Sequence, residues 1–163
     1  MRFKQGTEYA PNHRTNYFMR IHRIRSTGLL IVGLSCFAAC STISTYDQAA
    51  YANVTSLKVD TLNVVGQATG SYSEHTKEIA ELNTKLDKAY EYDHGRPLNQ
   101  KTIDLWNQLL KENPNDPDSG ILPHFFELWK TQGKISSASI KGEKARIGQA
   151  FDKIIALESG KNK

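Results

Sequence analysis

Cysteine is nearly absent from the chain: of 163 residues, only Cys36 and Cys40 carry a thiol. Everything after them can therefore form neither an internal disulfide nor a thiolate metal site. Long apolar runs are missing as well. The longest covers residues 28–39, well short of the roughly 18 residues that mark a membrane-spanning helix. No segment alternates polar and apolar residues with β-branched enrichment, so no sheet is expected. The local phrases of common catalysts are missing too. There is no HExxH, no GxSxG, no SxxK and no glycine-rich loop ending in GK[ST]. The motif-borne zinc peptidases, serine hydrolases and P-loop enzymes are thereby set aside.

Positive charge is unevenly spread. The whole chain carries +4. Residues 1–39 hold six of its 21 Lys/Arg and one of its 17 Asp/Glu, an excess of +5, which leaves the remainder at −1. A nearly neutral remainder lacks the basic surface that nucleic acid requires, and nucleic acid is not an expected partner.

Arg20, Arg23 and Arg25 precede the apolar residues 28–39, which end in Phe37-Ala38-Ala39-Cys40. A basic stretch, a short apolar stretch and then small residues is the order of a secretory signal. With a cysteine directly after the small pair, the segment resembles a bacterial lipoprotein signal peptide with its lipobox. Phe37 stands where that family usually has leucine. Cys36, after Gly33-Leu34-Ser35, matches less well. The resemblance implies cleavage before Cys40, acylation of Cys40 and attachment to a membrane on the periplasmic side of the cell envelope. Ser41 in place of Asp after the cysteine implies the outer membrane. The expected organisation is a misassigned N-terminal extension at 1–18 with translation starting at Met19, a signal peptide at 19–39, a lipidated tether at 40–45 and a helical domain at 46–160.

Apolar residues within that domain recur at helical spacing. Ala50, Val54, Leu57, Thr61, Val64 and Ala68 predict a first helix over 46–69. Ile79, Leu82, Leu86 and Ala89 predict a second over 73–92, capped by Ser73 and closed by Gly95 and Pro97. A third is expected over 100–112 with Asn99 as cap, a fourth over 122–132, and a fifth over 137–158 with Ser136 as cap. The fold class is all-α, a small antiparallel bundle of four to five helices. Residues 106–117 resemble the helix-turn phrase of a tetratricopeptide repeat, but the pattern does not recur at 34-residue spacing.

No catalytic residue, cofactor or metal site is assigned. His75, His94 and His124 lack the spacing of zinc ligands. His75 is expected at the edge of the core, on the face of Ile79 and Leu82. Glu81 and Lys85 have the favourable i to i+4 order of a solvated helix pair. Trp106, Phe125, Phe126, Trp129 and Phe151 read mainly as core. Phe125 and Phe126 are adjacent and point about 100° apart on a helix, so one of Phe125, Phe126 and Trp129 is expected to reach an exposed contact patch. The expected function is that of a lipid-anchored, periplasm-facing module that works by protein contact, with an envelope protein as partner. The alternative is a binder of a small apolar ligand between helices, in a pocket lined by Trp106, Phe125 and Phe151. An envelope enzyme comes third.

Overall fold

Asp47 sets the start of the first helix. Its carboxylate accepts the Ala50 N–H at 2.9 Å, satisfying one of the donors that a helix N-terminus leaves free. In the computed structural model, which describes residues 43–116 and 119–162, helix α1 therefore spans Gln48–Gly66. It begins two residues later than the apolar spacing suggested. It also ends sooner, because residues 67–70 turn off the helix. Ala68 is still buried, and its carbonyl accepts the Ile135 N–H at 2.8 Å.

A single 3-10 turn, Tyr72–Glu74, precedes α2, Thr76–His94. The expected Ser73 cap is thus displaced into that turn, and His75 occupies the cap position without a side-chain bond. Helix α3 spans Gln100–Leu110, α4 Ile121–Gln132 and α5 Ser137–Gly160. Ser136 caps α5 as expected, accepting the Ser139 N–H. Asn99 does not cap α3 with its side chain, which is drawn instead into the polar cluster described below. Gly120 enters α4 at φ 65°. A Cβ there would sit 2.6 Å from Glu112 Cγ, so only glycine fits the turn.

All five helices pack as one all-α bundle. Pairs across α1 and α5 run Lys58 with Asp152, Gly148 with Leu62, and Gly66 with Lys144, which makes the two helices antiparallel. Gln67 with Glu78, Asp60 with Lys85 and Asp47 with Tyr92 do the same for α1 and α2. Helix α3 lies against α2 and α5. Helix α4 continues from the level of Leu86, Leu110 and Leu122 to the end of the bundle where Trp129 donates to the Gly70 carbonyl at 3.0 Å. Two short helices thus share one column, and four columns close a ring around a core of Val54, Leu86, Trp106, Leu109, Phe125, Trp129, Ile147, Phe151 and Ile154.

Candidate functional site

Cys40 lies outside the described residues, as do residues 1–42 that hold the signal segment and most of the tether. The contact patch expected at Phe125, Phe126 and Trp129 is corrected by the structure. All three are buried, at 1%, 7% and 0% exposure. Helix α4 is covered by α3, α5 and the 3-10 turn. Tyr72 meets the Trp129 ring edge-on at 5.5 Å, and His75 packs on it at 5.4 Å. His75 therefore does sit at the edge of the core, its Nδ1 3.4 Å from Glu78. The space between Trp106 and Phe151 is filled by their own rings, edge to face at 6.1 Å. Trp106, Phe125 and Phe151 thus form packed core, not the lining of a ligand cavity.

What the surface offers lies on α1. Gln48, Ala49, Ala52, Asn53, Ser56, Val59 and Asn63 are exposed along the helix, and none is charged. Val59 is 58% exposed. Only Lys58 and Asp60 bring charge to α1, and both turn to neighbouring helices, to Asp152 and Lys85. Lys85 had been expected to pair with Glu81 on its own helix. The cross-helix carboxylate wins because it bridges α2 to α1 at 2.9 Å, and that bond raises the Lys85 pKa.

Beside this face a cleft of about 440 Å³ runs between α1 and α2, lined by Asn53, Ser56, Leu57, Asp60, Lys85, Lys88, Ala89 and Tyr92. Leu57 and Ala89 form its apolar floor. Tyr92 donates its hydroxyl to Asp47 at 2.9 Å, which raises the phenol's pKa. The backbone N–H of Ala50, together with that hydroxyl, holds the Asp47 carboxyl below its ordinary 3.8. Asp60 and Lys85 pair across the cleft at 2.9 Å, and Lys88 adds a second ammonium to its lining. Around that pair the cleft offers amide, hydroxyl and apolar groups, a set suited to binding.

The second polar feature is buried, and sequence reasoning missed it. At one end of the bundle Arg96 Nη1 donates to Asp93 at 2.9 Å and to Glu158 at 3.0 Å. Trp106 donates to the other Asp93 oxygen at 2.7 Å. Thr102 donates to Glu158 at 2.7 Å, and Lys161 pairs with the same carboxylate. Asn99 donates to the Asp93 carbonyl at 2.8 Å and accepts from Ser44 Oγ and Lys161 at 2.7 Å each. Ser44 N–H reaches the Leu98 carbonyl at 2.9 Å, and Arg96 Nη2 the Thr45 carbonyl at 2.6 Å. Burial would raise the Glu158 carboxyl, but hydrogen bonds from Lys161, Thr102 and Arg96 outweigh it and hold the group below its ordinary 4.5. Two acids face two bases, and every charge is bonded. The cluster joins four segments of the chain, as a structural clasp does.

Among the described residues no group of three or more His, Cys, Asp or Glu could hold a metal ion. No described helix is long and apolar enough to cross a membrane. Fold and surface thus define an all-α bundle with one uncharged helix face and one charged, buried clasp. Compared with protein-family models, curated proteins and solved structures, the chain matches none.

Proposed function

We propose that this is a lipid-anchored protein of the bacterial envelope, held through acyl chains on Cys40 at the periplasmic side of the outer membrane, and that it acts by protein contact rather than by catalysis. The lipobox-like Phe37-Ala38-Ala39-Cys40 supports the anchor. The observation that carries the contact role is the uncharged exposed face of α1 beside its cleft. Interface centres are depleted of charge, while ordinary helix surfaces are not. Helix α2, by contrast, exposes Lys77, Glu81, Lys85, Asp87, Lys88 and Glu91. The partner surface moves accordingly from the fourth helix to the first. A small apolar ligand is served less well, since the interior rings pack against one another.

A photo-crosslinking residue placed at Ser56 or Val59 of the full chain in cells tests the reading. The same residue at Lys153, exposed on α5, is the control. A discrete adduct from the α1 positions, lost when Val59→Lys is added to the Ser56 probe, is the expected result. No adduct from either α1 position at normal expression overturns the contact role.

A further inference from the structure

The clasp fixes which end of the bundle the membrane would meet. Ser44 is buried and tied to Leu98 and Asn99 by its own N–H and hydroxyl. The chain is therefore already part of the rigid domain four residues after Cys40. Four extended links reach at most about 14 Å, while the headgroup layer on each side of a bilayer is about 5–8 Å thick. Only three residues of sequence separate Cys40 from Ser44, so an anchor on Cys40 keeps this end of the bundle close to the bilayer.

Leu98 lies at that point. Its carbonyl holds the Ser44 N–H, yet its side chain is 57% exposed. It is also the one non-glycine residue at positive φ among the described residues, at 58°. A strained backbone that presents an apolar side chain to the outside marks a place where the outward group has a use. The opposite end, closed by Trp129 on Gly70 and Tyr72 on Gly133, lies at the far side of the bundle.

We infer that the Leu98 end rests on the lipid surface, with the Leu98 side chain entering the headgroup layer of the membrane that holds Cys40. This rests on acylation of Cys40, proposed above. The mature chain offers one native thiol, which the acyl chain would block, so an introduced cysteine can be labelled alone. Leu98→Cys, Gln100→Cys and Val59→Cys forms of the acylated protein would carry an environment-sensitive fluorophore. They would be placed in phosphatidylethanolamine–phosphatidylglycerol vesicles containing brominated lipid, with intact mass measured first.

The label at 98 is expected to shift to the blue and to lose emission to the brominated lipid. The label at 100 should do so more weakly, and the label at 59 should stay as in water. Gln100 keeps the test open if the Leu98 variant folds poorly. Equal, water-like emission at 98, 100 and 59 in acylated, vesicle-bound protein overturns the orientation and leaves the anchor intact. A blue shift without lipid quenching means that protein, a second copy of the chain, covers the site in place of lipid, and also overturns it. A chain without acyl mass removes both the orientation and the anchor.

Discussion

Leu98 shows how a single residue can run against local preference. An L-residue in the left-handed region costs about 1–2 kcal/mol, and at 57% exposure the side chain recovers little by packing. Leu98→Gly should therefore raise stability by about 1 kcal/mol, read as a higher thermal midpoint, while lowering any affinity for lipid. Arg96 has the opposite balance. It is nearly buried against Asp93 and Glu158, so Arg96→Met should cost about 3–5 kcal/mol, because two carboxylates lose their shared cation. Glu158 adds a pH dependence. Its folded pKa lies below the ordinary 4.5, so its contribution is complete above that value and fades as pH falls through the folded pKa. Denaturation midpoints measured from pH 7 to pH 3 should fall on the acid side of 4.5, and less steeply in Glu158→Gln. None of these residues could be singled out from the sequence. Ser44 and Asn99 are 55 positions apart, and Thr102 and Glu158 are 56 apart. No local spacing records such partnerships.

At the level of elements the sequence was far more legible. Each of the five helices lies where apolar spacing placed it, because the buried stripes Val54–Leu57–Thr61–Val64, Ile79–Leu82–Leu86 and Ile147–Phe151–Ile154 repeat at helical intervals. The ends were less legible, since they depend on bonds that periodicity does not encode, such as Asp47 to Ala50. The fourth helix was misjudged for a related reason. The 100° between Phe125 and Phe126 is real, but a helix covered by three neighbouring elements buries both directions, and coverage is a property of those neighbours. The first helix offers the sharpest test. Val59→Lys should leave stability within about 0.5 kcal/mol, as surface changes usually do. Val54→Ala, from a residue with no exposure, should cost about 1–3 kcal/mol through the cavity it leaves. Chemical denaturation of the two variants separates them, and only the first should affect a partner that contacts α1.

The whole molecule is defined by its two unlike ends. One end is sealed by backbone bonds and aromatic packing, through Gly70, Tyr72, Trp129 and Ile135. The other is tied by Arg96, Asn99, Glu158 and Lys161, and it is there that the chain arrives from the proposed anchor. Helices α3 and α4 join the two ends in one column, so a bundle of four columns is built from five helices. The fold closes on itself from Ser44 onward, where the Ser44 N–H and hydroxyl reach Leu98 and Asn99. Acylation and folding should then be separable. Cys40→Ala in the full chain should lose acyl mass and fail to appear as the processed outer-membrane form, while residues 44–162 made alone should melt cooperatively as a soluble helical domain. Mass spectrometry of the membrane fraction reads the first, and circular dichroism the second. A Cys40→Ala chain that is still processed and membrane-bound would place the anchor elsewhere. A soluble piece that fails to fold would mean that residues before Ser44 complete the bundle, and the short-tether geometry would fail with it.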